Sequence, residues 1–337
     1  MKEALLYTKR ENQHVDCFLC NHFCHIANHR RGLCGVRENR DGVLQSLVYG
    51  RVVAENTDPV EKKPLFHVIP GSRTFSIATV GCNFSCRHCQ NASVSQPGSF
   101  CAEAVPGQGR LPADIVSGAI AANCHSISYT YVEPSIFLEF ALDCMKLAQA
   151  KGLQNYFVSN GYMSAEAAKL LLPFLDAINI DLKSFSDAFY RELCGARLQP
   201  VLDTIRRMAD SGVWLEVTTL LIPGLNDSEE ELQQTADFLV SVSPSIPWHV
   251  TGFYPAYKLT EYPATPPETL DRARRIGIAA GLKYVYMGNR PGSGGENTFC
   301  PSCAAEIITR RGFSILKNRL LGGKCPFCDH VISGVWE

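Results

Sequence analysis

The chain has 337 residues, of which 46% are hydrophobic and 19% charged, as in a globular protein with a sizeable core. Its 32 basic and 33 acidic residues leave a net charge of −1, so the charge favours neither nucleic acid nor an anionic membrane as a partner. We expect no membrane span, because no apolar run approaches about 20 residues, and no secretion signal, because the N-terminal residues lack an apolar stretch.

Cysteine is the residue whose number and spacing are most informative. The sequence holds 15 cysteines, an odd number, and many of them fall in C-x2-C pairs. This pattern indicates metal sites in a reducing compartment rather than the disulfides of an exported protein, so a cytoplasmic location is predicted. Four cysteines have no partner at such a spacing: Cys101, Cys124, Cys144 and Cys194.

The N-terminal segment contains four cysteines at C-x2-C-x3-C-x9-C spacing. We call them the N-terminal quartet: Cys17, Cys20, Cys24 and Cys34. A polar segment of about 40 residues buries too little surface to hold itself together, so a bound metal is expected to stabilise it. Zinc and a second iron–sulfur cluster both accept four thiolates, and His22, His25 and His29 offer alternative ligands. The remaining alternative is four reduced thiols without a metal.

A link joins this segment to the central part of the chain. Short strands are predicted at 43–49 and 51–54. The run at 61–67 (EKKPLFH) carries three charged residues, and we expect a solvated bridge there, with His67 in a structural rather than a catalytic role. Residues 1–70 are predicted to form the first of three domains.

Strand-like and helical patterns alternate from residue 73 to about residue 287. The predicted strands are 74–80, 126–131, 154–158, 177–182, 213–221, 248–254 and 284–287. Their apolar, β-branched composition is typical of strands covered on both faces, and repeated β–α units indicate a parallel sheet with right-handed crossovers. Six or seven units are fewer than the eight of a closed barrel, so the predicted fold is an α/β partial barrel of the (β/α)6 type over residues 71–290.

Helix signals separate these strands. The run 134–150 is mostly apolar, which predicts a buried helix. Ser228 and Thr265 each begin a capping-box pattern with a glutamate three residues later. Each is therefore predicted to cap the helix that follows it.

Three cysteines at C-x3-C-x2-C spacing follow directly on the first predicted barrel strand. We call them the loop triad: Cys82, Cys86 and Cys89. Cysteine thiolate is the usual ligand of iron–sulfur clusters, and three ligands leave one iron of a four-iron cluster open for chemistry. The alternative is a fragment of a zinc site with His88 as a further ligand. Structural zinc prefers four ligands, however, and no fourth cysteine lies nearby.

Polar residues at the ends of the other predicted strands are further candidates, because barrel active sites lie at the C-terminal ends of the strands. They are Glu133 on the second strand, Ser159 and Asn160 on the third, Asp181 and Lys183 on the fourth, and His249 on the sixth. Two structural alternatives remain: Glu133 as a helix cap, and Asp181 with Lys183 as an ion pair.

The C-terminal segment contains two C-x2-C pairs separated by 21 residues, which form the C-terminal quartet: Cys300, Cys303, Cys325 and Cys328. This spacing is typical of a zinc-ribbon or rubredoxin-like unit, here over residues 291–337. Zinc is the favoured ion, although iron would use the same four sulfurs, and the few basic residues around the quartet do not indicate RNA binding. The glycine-rich segment 288–297 is predicted to be a linker or a loop at the barrel mouth.

The spacing of the loop triad is similar to that of the radical S-adenosylmethionine (SAM) enzymes. Over most of its length the chain resembles the radical SAM protein of the AmmeMemoRadiSam system, which is related to the pyruvate formate-lyase-activating enzymes. The matching segments are 48–51 (VYGR), 58–67 (DPVEKKPLFH), 78–84 (ATVGCNF), 129–134 (YTYVEP) and 294–298 (GGENT). The chain departs from the family pattern where Tyr131 and Val132 replace the glycines of a glycine-glycine-glutamate motif, and where Asn91 precedes alanine rather than an aromatic residue.

The resemblance implies a [4Fe–4S] cluster on the loop triad, with SAM chelated to its open iron. Reduction of the cluster would cleave SAM and give a 5′-deoxyadenosyl radical that abstracts a hydrogen atom. The residue before the last loop cysteine contacts the adenine in this family, which assigns that place to His88. The other residues assigned to the cofactor are Glu133 (the SAM ammonium), Lys183 (its carboxylate), Asp181 (a counter-charge or a cation), Ser159 and Asn160 beside SAM, and His249.

The resemblance also implies partners. By analogy with the activating enzymes, the expected substrate is a peptide or protein, and the expected electron donor is a flavodoxin or ferredoxin. The competing hypothesis is a non-catalytic metal-binding scaffold or a nucleic-acid-binding zinc protein. The near-neutral charge and the position of the loop triad on a barrel strand weigh against that hypothesis.

Overall fold

The computed structural model describes residues 1–96, 105–290, 292 and 294–337. The chain forms two compact units. Unit 1 comprises Met1–Asp58, Arg73–Asp176 and Leu193–Ala196, and unit 2 comprises Pro59–Ser72, Ala177–Glu192 and Arg197–Glu337. Cys101, together with Pro291 and Ser293 of the glycine-rich segment, lies outside the described residues. The three-domain division at residues 70 and 290 stays a prediction.

The elements of unit 1 are mostly short strands, followed by a βα region. In chain order they are β1 (Lys2–Glu3), β2 (Tyr7–Lys9), β3 (Val15–Cys17), β4 (His25–Ile26), β5 (Arg37–Arg40), β6 (Val43–Ser46), β7 (Arg51–Val52), β8 (Ala54–Pro59), β9 (Arg73–Ala78), α1 (Ala92–Ser95), β10 (Gln108–Gly109), α2 (Pro112–Ala121), β11 (Ser126–Tyr129), α3 (Leu138–Ala150), β12 (Gln154–Ser159) and α4 (Ala165–Leu171).

The parallel strands of unit 1 confirm the first three predicted barrel strands. Strand β11 pairs in parallel with β9 on one side and with β12 on the other. The predicted helix at 134–150 begins instead with a 3-10 turn, Pro134–Phe137, and α3 starts at Leu138. Most of α3 is buried, as its apolar sequence predicts. The N-terminal residues form two small antiparallel sheets, in the orders β1-β6-β5 and β2-β3-β4.

Unit 2 contains the remaining strands and helices. They are β13 (Ala177–Asp181), α5 (Asp187–Phe189), α6 (Gln199–Ala209), β14 (Trp214–Leu221), α7 (Glu229–Val242), β15 (Trp248–Gly252), α8 (Pro267–Ala280), β16 (Val285–Gly288), β17 (Thr298–Phe299), β18 (Glu306–Arg311) and β19 (Ser314–Asn318). Strands β13 to β16 pair in parallel in chain order, and β17 to β19 form an antiparallel sheet. Among the described residues, no helix has the length and apolar character that crossing a bilayer requires.

The two predicted helix caps have different outcomes. The Ser228 hydroxyl accepts the Glu231 N–H at 3.2 Å, which confirms this residue as the cap of α7. The cap predicted at Thr265 is wrong, because Pro266 is the residue before α8 and no side chain caps that helix. The Thr265 hydroxyl donates instead to the Leu221 carbonyl at 2.6 Å and accepts the Phe253 N–H at 2.7 Å. Tertiary partners therefore compete successfully with the local capping pattern.

The run at 61–67 is not the solvated bridge that its charges predict, since Glu61, Lys63 and His67 are all buried. The Glu216 carboxylate on β14 anchors it. This fully buried carboxylate accepts the backbone N–H groups of Phe66 at 3.0 Å and His67 at 2.8 Å. It also accepts the Trp214 indole N–H at 3.0 Å and the His249 ring N–H at 2.6 Å, so each of its oxygens has two donors.

Hydrogen bonds hold the neutral His67 ring in one tautomer. Its Nδ1 lies 2.6 Å from the Ser333 carbonyl and must donate to it, so Nε2 accepts the Tyr286 hydroxyl proton at 2.6 Å. Tyr286 in turn lies 2.8 Å from the Thr298 hydroxyl. Burial lowers the pKa of His67 from its ordinary 6.5 to about 4, so the ring is neutral at pH 7.

We predict that this histidine makes unit 2 sensitive to acid. Because its folded pKa lies below its unfolded value, its contribution is complete above pH 6.5 and is lost as the pH falls towards about 4. The difference in free energy of unfolding between wild type and His67→Gln should shrink by up to about 3 kcal/mol over that interval. Anaerobic urea titrations measure it, with the exposed His125→Gln as control. A difference that does not depend on pH would contradict the assignment.

Candidate active site

The loop that carries the triad turns sharply as it leaves β9. Gly81 has a φ of +95°, a conformation that strongly favours glycine. A Cβ atom on this residue would lie 2.6 Å from Cγ1 of Val36 and 2.8 Å from the carbonyl oxygen of Cys34. Glycine is therefore required both for the turn and for the close approach of the N-terminal segment.

Backbone hydrogen bonds fix the loop on both sides. The Gly81 N–H donates to the Val94 carbonyl at 2.8 Å. The N–H groups of Ser85 and Arg87 donate to the carbonyls of Cys194 and Leu193, both at 2.9 Å. The loop is thus bonded to α1 and to the short segment 193–196, and its cysteines are presented from a fixed backbone.

The thiols of the loop triad suit a metal centre. Cys86 is buried, and Cys82 and Cys89 are half-buried. The Phe84 N–H points to the Cys82 sulfur at 3.5 Å, and the Cys89 sulfur lies 3.1 Å from the Ser95 hydroxyl. Burial raises the pKa of the Cys82 thiol, so its thiolate requires the positive charge of a metal. Three thiols on one loop, with polar hydrogens near two of the sulfurs, fit an iron–sulfur cluster.

His88 and Cys194 lie against one member of the triad. The ligand atoms of Cys86, His88 and Cys194 are all within 4.8 Å of one another, and all three residues are buried. Sequence spacing missed Cys194, because the segment 193–196 reaches the loop only through tertiary structure. Three ligands fall short of the four that structural zinc prefers. The adenine contact assigned to His88 stays a prediction.

Glu133, Ser159 and Asn160 come together at the ends of β11 and β12. The Glu133 carboxylate is 3% exposed, and its two oxygens each lie 3.0 Å from the Ser159 hydroxyl. It also accepts the N–H groups of Asn160 at 2.7 Å and Ser135 at 3.1 Å. Burial raises the pKa of Glu133, against the lowering effect of these donors. The bond from Ser135 means that the capping role foreseen for Glu133 is real.

Asn160 links this carboxylate to the triad loop. Its side-chain amide donates to the Asn83 side-chain oxygen at 2.7 Å. Asn83 directly follows Cys82, and its carbonyl accepts the His22 ring N–H at 2.7 Å. Within the described part of the chain, the buried Asn83 amide nitrogen has no hydrogen-bond partner. A polar path thus runs from the N-terminal segment, along the triad loop, to Glu133.

Tyr131 adopts an unusual backbone conformation just after the end of β11. This residue has a φ of +65°, in the left-handed region that glycine adopts readily and other residues rarely. Its hydroxyl donates to the Asp58 carboxylate at 2.6 Å, and the Asn91 side chain donates to its carbonyl at 2.9 Å. Hydrogen bonds therefore hold Tyr131 in a left-handed backbone conformation that usually favours glycine.

The other three candidates lie in unit 2. The Lys183 ammonium is 2.9 Å from the Asp181 carboxylate, which is the ion pair foreseen as the structural alternative. His249 is 2% exposed, bonds Glu216 and packs at a right angle against Phe66. Its observed partners are therefore structural ones. The cofactor roles assigned to these residues stay predictions.

The C-terminal quartet has the spacing of a single-ion site. Its four sulfurs all lie within 4.8 Å of one another. Cys300 and Cys328 have sulfurs 3.6 Å apart, and Cys303 and Cys325 3.7 Å apart. A tetrahedral ion with metal–sulfur bonds of about 2.3 Å places its sulfurs about 3.8 Å apart.

Comparison with known proteins agrees with this geometry. The model of the radical SAM superfamily matches residues 76–239. An uncharacterised protein of Methanocaldococcus jannaschii is 42% identical to the chain, and the match covers 98% of this chain and 99% of that protein. The chain belongs to the radical SAM superfamily.

Two relatives in the radical SAM superfamily have descriptive names. A pyruvate formate-lyase-activating enzyme of Streptococcus mutans is 22% identical over 61% of this chain and 83% of its own length. An isethionate sulfite-lyase activating enzyme of Nitratidesulfovibrio vulgaris is 28% identical over 36% of this chain and 41% of its own length. The chain is thus an enzyme of the radical SAM type, related to pyruvate formate-lyase-activating enzymes, with a mixed α/β fold and a central parallel sheet.

We predict that Gly81→Ala displaces the triad loop and lowers iron binding by the triad, with a loss of up to about four irons per chain. The left-handed conformation costs an alanine about 1 kcal/mol, and the contacts with Val36 and Cys34 add about 1–3 kcal/mol. Gly152→Ala is the matched control, because Gly152 has a φ of +74° and nothing within 4 Å of its added Cβ. Iron per chain after anaerobic reconstitution measures the effect. Equal iron in the two variants would show that the close approach at Gly81 is unimportant.

Proposed function

We propose that the loop triad binds a [4Fe–4S] cluster at which SAM is reductively cleaved, and that the resulting 5′-deoxyadenosyl radical abstracts hydrogen from a peptide or protein. The observation that carries this proposal is the fixed loop with one buried and two half-buried thiols beside the Glu133 group. The bound cluster would supply the electron that cleaves the sulfonium, and the protein's own residues would orient SAM and exclude water from it.

Glu133 has room for one more donor, which suits the SAM ammonium. Among the described residues, its hydrogen-bond donors are the Ser135 N–H, the Ser159 O–H and the Asn160 N–H, which supply three protons. A carboxylate offers about four lone-pair sites, so one remains. Ser159 and Asn160 fix the orientation of the carboxylate, and Asn160 also fixes Asn83 on the cluster loop. Lys183 and Asp181 are proposed to meet the SAM carboxylate and to balance its charge.

The proposed substrate class and partners rest on the named relatives. Both are activating enzymes of lyases by name, so a protein or peptide target is proposed by analogy. The proposed electron donor is a flavodoxin or ferredoxin, and the proposed location is the cytoplasm. Zinc is proposed for the C-terminal quartet. The motifs at 48–51 and 58–67 support membership of the AmmeMemoRadiSam type.

The decisive experiment is the formation of 5′-deoxyadenosine from SAM by the anaerobically reconstituted chain under a strong reductant. Wild type should form it, and Cys82→Ala should lose the activity together with about four irons per chain. Cys124→Ala, which removes a buried thiol away from the loop, should keep both. A wild-type protein that binds SAM and iron but yields no deoxyadenosine would favour the scaffold hypothesis.

We further predict that Glu133→Gln weakens SAM binding about ten- to a hundredfold, the value of one hydrogen bond to a charged group. In the variant, an –NH₂ group replaces one of the two carboxylate oxygens that accept hydrogen bonds in wild type. The variant also lacks the negative charge that attracts the SAM ammonium. Equilibrium binding of SAM to the iron-loaded variant measures the change. Glu166→Gln, at an exposed site on α4, is the control. An unchanged affinity in Glu133→Gln would remove Glu133 from the SAM site.

A further inference from the structure

The four cysteines of the N-terminal quartet line one small cavity in unit 1. Cys17, Cys20 and Cys34 are buried, and Cys24 is half-buried. The other lining side chains are mainly apolar and include Leu19, Ile26 and Ile136. The cavity is therefore lined by four cysteine sulfurs and by apolar side chains. Such surroundings favour a metal centre that is shielded from solvent.

The spacing of the sulfurs separates this quartet from the C-terminal one. A single tetrahedral ion holds its sulfurs about 3.8 Å apart, as the C-terminal quartet does at 3.6 and 3.7 Å. Within residues 1–96, which the structure describes without a gap, no three sulfurs of the N-terminal quartet lie within 4.8 Å of one another. The N-terminal sulfurs are thus not gathered at the spacing of a single tetrahedral ion, unlike those of the C-terminal quartet.

Arg37 places a buried hydrogen-bond donor beside one thiol of the quartet. Its side chain is 1% exposed, and Nη1 lies 3.7 Å from the Cys17 sulfur. The same nitrogen donates to the Leu5 carbonyl at 2.8 Å, and Nη2 donates to the Glu139 carboxylate. A buried guanidinium that donates to a cysteine sulfur is one of the means by which proteins tune iron–sulfur clusters.

We propose that the N-terminal quartet binds a second [4Fe–4S] cluster, with one thiolate on each iron. Such a cluster has no open iron, so it would not bind SAM. It would lie next to the triad loop, because the Cys34 carbonyl is one of the two atoms that approach Gly81 most closely. The proposal decides between the two metals that the cysteine spacing leaves open, and it stands independently of whether the triad acts on SAM.

The test is a metal and sulfide count on the full chain purified without oxygen. Wild type should hold about eight irons, eight inorganic sulfides and one zinc. The triple variant Cys82→Ala/Cys86→Ala/Cys89→Ala should keep about four irons and four sulfides, with an electron paramagnetic resonance signal that SAM does not change. Sulfide is counted because a mononuclear iron in the C-terminal quartet would add iron without sulfide.

The double variant Cys20→Ser/Cys34→Ser gives the reciprocal result, and Cys124→Ala is the matched control. The double variant should lose about four irons and four sulfides and keep a cluster whose signal responds to SAM. Two zinc ions and no sulfide in the triple variant would overturn the proposal, as would a triple variant with neither metal. If wild type and triple variant both hold about four irons, the quartet cluster stands and the triad cluster fails. If the double variant does not fold, the triple variant alone decides.

Discussion

The contact between Gly81 and the Cys34 carbonyl is the constraint on which unit 1 depends. Two cysteine-bearing segments approach each other there more closely than any side chain would allow. The turn at Gly81 sets the direction in which the triad loop leaves its strand, and the bonds to the segment 193–196 then hold it. The N-terminal segment is accordingly part of the wall of the site.

Glu133 shows how one residue serves structure and chemistry together. A buried carboxylate is costly unless donors surround it, and the backbone N–H groups of Ser135 and Asn160 provide them. The same bonds orient the carboxylate and begin the 3-10 turn before α3. The structural and functional interpretations of Glu133 are therefore compatible, since the donors in the described part of the chain occupy three of the about four acceptor sites of the carboxylate.

Unit 2 has its own buried carboxylate, with a different consequence. All the acceptor sites of Glu216 are occupied, by donors from Phe66, His67, Trp214 and His249. Burial by itself would raise the pKa of Glu216, yet the hydrogen bond from His249 and the other donors hold it below its usual value. A carboxylate satisfied in this way stabilises packing, and it draws the run at 61–67 into the core despite the charges in that run.

The sequence by itself determined the ligand types, the strand order along the chain and the position of the triad after its strand. These features are local, because C-x2-C and C-x3-C spacings bring sulfurs within reach of one metal centre whatever the rest of the chain does. Only the tertiary structure decided that Cys194 lies beside Cys86 and His88. It also decided that the 61–67 run is buried and bonded to Glu216 instead of being solvated, and that Tyr131 adopts a left-handed conformation. The tertiary structure also decided that the sulfurs of the C-terminal quartet lie within 4.8 Å of one another, whereas the N-terminal quartet lines a cavity. The reason is physical. Segments from distant parts of the chain pack together, and this packing sets the burial, the hydrogen-bond partners and the separation of the sulfurs. The spacing of residues along the sequence does not predict it.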